Sequence, residues 1–432
     1  MSEADNVVQG LFDSEKWQSL LSRNARGNIM ECWQNVRTIL CYHPAWAGVV
    51  AFNEFSQEPE KTRGVPGVLA AGGWLPDDKF KIGMWLQEQL KFTVKSVATL
   101  EVGVEAAASE RKFHPVRAWL DGLAWDDQPR LDDWLCDALG VRKTRYSMLV
   151  GRLFLVNMVA RIYEPGCIMR SVPVLEGGQN RGKSESLRAL AGRWFSDAHL
   201  DLSSKDTFEL IQGVWLHEIA EMHSVNRAEV TKVKHFISVR EDSWVPKWIR
   251  RRIIIPRQVV FAGSTNEHVY LRDWTGNTRF WPVRCEEVGD IDLAVLHAQR
   301  EQLFAEAVRE YKLGSRRHPT REEEEELFAP EQDARLLEHH WHSPIAHWLV
   351  DNTYSKVTAH QVLKDALHVE TSKITSVMHA DVGRVMARLG WARERESKGA
   401  RDWFYIRPSS PPPATGTTSS ETVENSSNGI PF

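Results

Sequence analysis

The alternation of apolar and polar positions divides the chain into a helical first part, a middle part of short apolar runs separated by helices, and a small unit near the end. Ile29, Cys32, Val36 and Leu40 recur at helical spacing and place an apolar stripe on one face of a helix. Residues 49–55 read as a strand running into a turn, and the prolines and glycines of 56–73 read as loop. Helices are predicted over 79–90, 94–109, 145–164 and 292–313, the third being apolar enough to lie buried beside a sheet. Residues 172–175, 213–221 and 258–266 are apolar runs that end in polar or acidic residues, as buried strands of a parallel sheet do. The acidic run 322–326 reads as a solvated helix face. Helices over 359–367 and 381–389, the second closed by Gly390, precede two strands around a Lys398-Gly399 turn, which predicts a winged-helix-like unit over 343–407. Residues 408–432 hold little but Ser, Thr, Pro, Gly and Asn and predict a disordered tail.

The first strand of the middle part leads into the sharpest chemical signal. Residues 177–184 read GGQNRGKS and satisfy G-x-x-x-x-G-K-[ST] at every fixed position, between a strand and a helix. The glycines permit a backbone that turns successive N–H groups inward, where they cradle phosphate oxygens with the positive end of the following helix. The candidate nucleotide-binding segment is Gly177, Gly178, Gln179, Asn180, Arg181, Gly182, Lys183, Ser184 and Glu185. Lys183 would reach the β- and γ-phosphates of ATP, and Ser184 would ligate Mg²⁺. A chance glycine turn would not require both flanks to agree. The second strand ends in Glu218 and Glu221, placed for one carboxylate to hold Mg²⁺ and one to activate water; the pattern does not divide the two roles. Ser184 and Glu218 are the metal candidates. The third strand ends at Asn266, positioned to sense the γ-phosphate or to close an ordinary turn. Arg272 and Arg279 are candidates for an arginine delivered to a neighbouring subunit's phosphates, against the plainer reading of a local salt bridge with Asp273.

The formal net charge of the 432 residues is −4, which excludes a global basic field. Against it stands residues 244–257, WVPKWIRRRIIIPR, where Lys247, Arg250, Arg251, Arg252 and Arg257 interleave with Trp244 and Trp248. Cations contact phosphates and flat rings stack on single-stranded bases, so Lys247, Trp248, Arg250, Arg251 and Arg252 are candidate contacts to single-stranded DNA. An exposed charged hairpin is the plainer alternative. Trp119, Trp125 and Trp134 alternate with acidic residues and read as packing rather than a base platform. The five cysteines, Cys32, Cys41, Cys136, Cys167 and Cys285, form no C-x-x-C pair, which disfavours a disulfide framework or zinc site. No signal-peptide pattern or membrane-length apolar run is present, so a cytoplasmic protein with no membrane partner is expected. The expected organisation is a mostly helical region over 1–140, a P-loop core over 141–315, the small unit over 343–407 and the tail.

The block from 172 to 283 resembles the virulence-associated E (VapE/VirE) family, phage- and island-encoded P-loop ATPases related to superfamily-three helicases. GGQNRGKS (177–184), WLHEIAEM (215–222), KHFIS (234–238), PRQVVFAGSTNE (256–267) and LRDWTGNTRFWPV (271–283) carry the match, joined upstream by AFNEF (51–55) and residues 113–135. The resemblance implies an AAA+-like α/β/α core, a homo-hexameric ring with ATP between subunits, and a pore hairpin around 243–257. It also implies a role in phage or mobile-island DNA replication. The second glutamate lies three residues after the first, so the family-wide adjacent Asp-Glu pair is replaced here. The upstream stretch is too short for a full primase, so primase or polymerase activity is expected from a separate protein. An ATP-driven DNA helicase is the leading reading; the alternative is a nucleotide-gated, initiator-loading regulatory ATPase that does not unwind. A metabolic P-loop kinase would leave the basic hairpin unexplained.

Overall fold

A computed structural model describes residues 15–202, 204, 206–220, 227–245, 252–271, 277–337, 339–395 and 403–407. The chain separates into two compact units, Met1–Leu336 and Leu337–Phe432.

The larger unit is built on a five-stranded sheet of β4 (Val172–Glu176), β5 (Phe195–Ser196), β6 (Leu216–Ile219), β9 (Val260–Thr265) and β10 (Phe280–Arg284). The spatial order is β10-β4-β9-β6-β5 and every pairing is parallel. All five residues of β4 are buried. Strands covered on both faces need apolar side chains in both directions, which is why these runs are nearly continuous in hydrophobicity. The period of two sorts them. Leu175, Val260, Ala262, Trp281 and Val283 join the core under helices Arg145–Tyr163, Lys183–Ala191 and Leu293–Lys312. Val172, Val174, Phe261 and Phe280 join Phe236 and Ile237 of helix Arg227–Ser238 on the opposite face. The helix Arg145–Tyr163 is buried along most of its length, as its composition predicts.

Upstream, helices Trp33–Tyr42 and Val97–Ser109 pack so closely that a Cβ on Gly103 would lie 2.5 Å from Val36 Cγ1. A three-stranded sheet, β2-β1-β3, joins them: β1 is Val50–Asn53, β2 Glu58–Lys61 and β3 Lys112–Phe113. The loop expected over 56–73 is corrected here, because Glu58–Lys61 is a strand. Its sequence, EPEK, has no apolar alternation. The Asn53 side chain makes the turn by accepting from the Phe55 and Ser56 N–H groups, and antiparallel pairing with β1 does the rest. Lys61 then forms a buried ion pair with Asp78. Trp119 packs against Trp194, Trp215 and Phe304, so the tryptophans of this stretch are packing residues as expected. The acidic run at 322–326 is not uniformly solvated: Glu323 is buried, closes a capping box with Thr320 and accepts from Arg316. No described helix is long and apolar enough to cross a membrane.

The smaller unit begins with helix His342–Asp351, followed by β11 (Lys356–Val357), the helical turn Ala359–Gln361 continued by Val362–Ala366, helix Ser376–Arg388, β12 (Ala392–Arg395) and β13 (Trp403–Ile406). The sheet order is β11-β13-β12, antiparallel throughout. Helix Ser376–Arg388 starts before the expected 381 because the Thr375 hydroxyl accepts from Met378 N–H and caps it. The Lys398-Gly399 turn and the tail 408–432 lie outside the described residues.

One close approach fixes the loop after β10. Gly140, at φ +61°, ends helix Trp134–Leu139, and its carbonyl accepts from the N–H groups of Glu287 and Val288. A Cβ there would stand 1.8 Å from the Gly289 carbonyl oxygen. Gly140→Ala is therefore expected to destabilise the larger unit by at least about 1–3 kcal/mol, read from urea denaturation; an unchanged midpoint would refute the clamp.

Candidate functional site

The strand ends gather the predicted residues. Because every strand of the large sheet is parallel, the C-terminal ends of β4, β9 and β6 open on one side, with Glu176 opposite Thr265 and Ile219 opposite Gly263. The loop 177–182 leaves β4 there and enters helix Lys183–Ala191 through Gly182, whose φ of +96° suits glycine. Asn180 also sits at positive φ, which asparagine tolerates. A cleft of about 540 Å³ opens beside this turn, lined by residues 179–185, Ala220, Ser264, Thr265 and Asn266. That is within the roughly 300–1,000 Å³ usual for small-molecule sites.

Lys183 is only 7% exposed and spends its three donors on Gly177 O (2.9 Å), Gly178 O (2.5 Å) and Asn266 Oδ1 (2.9 Å). Burial holds its ammonium below the ordinary lysine pKa. A phosphate in the cleft would replace lost hydration with charge and oppose that shift. On the neighbouring strand Glu218 is 2% exposed, and its Oε1 accepts from Ser184 Oγ (2.8 Å) and Ser264 Oγ (2.5 Å). This arrangement fits a hard cation shared with a phosphate, since Mg²⁺ takes few protein ligands and keeps water. Among the described residues no group of three or more His, Cys, Asp or Glu side chains could hold a metal alone. A nucleotide with Mg²⁺ thus fits the donor set: loop N–H groups and Lys183 for the phosphates, Ser184 and Glu218 for the cation.

The remaining predicted residues are distributed as follows. Glu185 opens the helix beside the cleft, and Glu221 lies outside the described residues. Arg181 donates to Glu286 Oε1 (2.6 Å) and Asp290 Oδ1 (3.2 Å), on the segment clipped to Gly140. The basic interval forms an antiparallel pair, β7 (Glu241–Trp244) with β8 (Ile253–Pro256). Lys247, Trp248, Arg250 and Arg251 lie outside the described residues, while Arg252 is exposed immediately before β8. Two members of the interval are corrected. Arg257 is buried, ion-paired with Asp242 and set over the Phe236 ring, and Trp244 is buried against Phe208. Both pack inward rather than face solvent, Arg257 at the hairpin base and Trp244 opposite Ile253, because a strand pair needs an inner face. Arg272 is not described. Arg279 donates to Ser238 Oγ (3.1 Å) and directly precedes Phe280, which pairs with Val172 at the start of β4. It therefore stands at the opposite end of the sheet from its own P-loop, about four residues or roughly 13 Å of strand away.

Three contributors were not foreseen. Ser264 is legible in retrospect: Glu218 pairs with Ala262, so period two puts Ser264 on the same face. Glu176, the last residue before the P-loop, is 1% exposed and receives Arg335 through Nε (2.9 Å) and Nη2 (2.9 Å). Nothing in the local sequence pairs residues so far apart.

A parallel sheet with a phosphate-type loop at its C-terminal edge, a buried lysine and a hydroxyl–carboxylate pair defines an α/β P-loop NTPase-like protein. The chain belongs to the virulence-associated protein E-like family, whose model matches residues 120–336. It is also similar to solved structures of an NrS-1 C terminal region. The apo structure has 13% identity and a TM-score of 0.43, with 83% of this chain and 95% of that chain covered. The A form apo structure has 12% identity and a TM-score of 0.44, with the same coverage of both chains. No curated protein matches the chain.

The Arg335–Glu176 pair yields a test. Arg335→Ala would leave a buried carboxylate without its partner, at an expected cost of about 3–5 kcal/mol in thermal or urea unfolding. Arg335→Met with Glu176→Gln removes both charges and should recover most of that loss. A single variant as stable as the parent would show the pair to be unimportant.

Proposed function

We propose that this protein is an ATP-dependent DNA helicase of the superfamily-three type, acting in replication of phage or mobile-island DNA. The observation that carries the reading is the joint geometry of Lys183, Asn266, Ser184, Glu218 and Ser264 around the P-loop cleft. In this reading the core is AAA+-like, subunits form a homo-hexameric ring, and ATP lies at their interfaces. When bound, ATP with Mg²⁺ supplies a phosphoanhydride whose cleavage drives movement. Lys183 and the loop N–H groups position the γ-phosphate, and Asn266 follows its presence. Ser184 and Glu218 hold the cation side, because their hydroxyl–carboxylate bond already points them at one another. That assigns the water-activating role to Glu221. An arginine from the next subunit, Arg272 or Arg279, stabilises charge on the transferring phosphoryl group; the strand register that keeps Arg279 from its own P-loop favours a role in trans. The β7–β8 hairpin carries Lys247, Trp248, Arg250, Arg251 and Arg252 to single-stranded DNA. The smaller unit is winged-helix-like, supported by its helix–strand–helix–helix–hairpin order and its β11-β13-β12 sheet. Primase or polymerase partners are separate chains, and the protein works in the cytoplasm of the bacterial host.

The first test is ATP hydrolysis with and without single-stranded DNA, for the parent and Lys183→Ala. Strong stimulation by DNA, abolished in the variant while its melting temperature stays within a few degrees, is the expected result. The fold should survive because the substitution removes a partly desolvated cation rather than core volume. Hydrolysis indifferent to DNA would favour a regulatory ATPase, and strand-displacement assays would separate loading from unwinding.

The division of carboxylates has its own readout. Glu221→Gln should keep Mg²⁺-dependent nucleotide binding and lose turnover by about 10²-fold or more. Glu218→Gln should weaken the Mg²⁺ dependence of binding itself. The reverse pattern would exchange the two roles.

A further inference from the structure

The end of the sheet away from the P-loop carries a second cluster of polar side chains. Helix Arg227–Ser238 rides on that part of the sheet, with Val233, Phe236 and Ile237 in one core with Phe261 and Phe280. Lys234 and Ser238 are four residues apart on this helix and so share a face. Both reach the short turn Asn277–Arg279, which leads directly into β10. Lys234 Nζ donates to Asn277 Oδ1 (3.1 Å) and stands 5.9 Å from the centre of the Phe280 ring. Arg279 Nε donates to Ser238 Oγ (3.1 Å), and that hydroxyl donates in turn to Lys234 O (2.7 Å). The helix thus touches the chain before, at and after Arg279.

Lys234 is only 6% exposed. Lysine is seldom buried this far, because burial strips the ammonium of water. An apolar side chain of similar length would fill the same space without that cost, so what the ammonium adds is its hold on the turn. The strand supplies the other restraint. Phe280 is fully buried, pairs with Val172, and its carbonyl accepts from Gln332 Nε2 (3.1 Å). Arg279 is therefore fixed through the backbone by β10 and through its Nε by the helix.

We propose that Lys234 and Ser238 are positioning residues that aim the guanidinium of Arg279 at the phosphates of a neighbouring subunit. The inference rests on the hexameric ATPase reading and deepens it. A guanidinium stabilises a transferring phosphoryl group only when its fork is directed at that group, and a misplacement of about 1 Å can cost about 10²-fold in rate. Ser238 orients the plane of the fork through Nε, and Lys234 fixes the turn from which the side chain starts. Lys234 acts through Arg279 and touches no phosphate itself. The subunit's own P-loop does not use this mount, so binding of nucleotide and its turnover should separate.

The test uses the full chain and two variants. Lys234→Met keeps side-chain volume, and Asn277→Ala removes the same hydrogen bond from a half-buried turn. In each, ATP turnover with single-stranded DNA should fall about tenfold or more, while affinity for a fluorescent ATP analogue stays within about twofold of the parent. A thermal melt matching the parent's shows an intact fold; should Lys234→Met fail to fold, Asn277→Ala decides alone. Each variant is then co-expressed with Lys183→Ala, and mixed assemblies are isolated through separate tags. A Lys183→Ala subunit has an intact mount and offers its Arg279 to the neighbour's intact P-loop. Hydrolysis should therefore exceed the mean of the two variants alone, and Arg279→Ala mixed with Lys183→Ala should recover in the same way. Recovery with Arg279→Ala but not with the mount variants would overturn this inference and leave the helicase reading standing, as would parental turnover in both mount variants. Nucleotide affinity falling in step with turnover would also overturn it, since the role would then be structural. No recovery with Arg279→Ala would overturn the arginine in trans, and the mount with it.

Discussion

The site in the larger unit depends on a buried carboxylate at the end of its central strand. Glu176 closes β4 immediately before the P-loop, and the fork of Arg335 holds it from the far end of the same unit. Such a pair adds little net stability, because two charges lose their hydration when buried. It does fix geometry, since a guanidinium fork meets a carboxylate in few ways. The strand end is thereby pinned where the loop must begin. The loop is restrained again at Arg181 by Glu286 and Asp290, whose own segment is clipped to Gly140. Under the proposed ATP-binding reading, loop N–H groups serve best if they need little reorganisation when the anion arrives, and these restraints act in that direction.

Parallel strand direction has a second consequence. It collects Asn266, Glu218 and the P-loop at one edge, and places the start of β10 with Arg279 at the other. Among the described residues a single chain thus brings together the groups proposed to bind and orient phosphate, while Arg279 stands apart from them. Under the proposed helicase reading, assembly completes the site, and turnover becomes conditional on a neighbour. The same polarity frees the β7–β8 hairpin from the cleft, its base closed by the buried Arg257–Asp242 pair.

Much of this was legible because it follows local rules. The P-loop, its flanking strand and helix, the buried helix at Arg145–Tyr163 and the small unit's hairpin all announce themselves by spacing and period. What was not legible depends on tertiary context. Strand Glu58–Lys61 has no pattern of its own and exists by pairing with β1. Arg257 and Trp244 looked like surface groups because charge and aromaticity were counted without a face assignment. Arg335 joins a partner more than 150 residues away, a relation that no window along the chain contains. Glu323 sits in a run of like charges, and only the cap and two arginines single it out.

Under the proposed ATP-binding reading, the two halves of the cleft differ in what an arriving nucleotide must change. A hydroxyl has one donor and two lone pairs. Ser184 can thus keep donating to Glu218 while offering a lone pair to a cation, so that side is ready as it stands. Lys183 has three donors, and all three are engaged. To meet a phosphate it must release one partner. Gly177 and Gly178 present backbone carbonyls fixed by the loop, whereas Asn266 presents a rotatable amide on an exposed turn after β9. Asn266 is the partner that costs least to release. In that reading the end of β9, beside the central strand, is the first part of the fold to sense an occupied cleft.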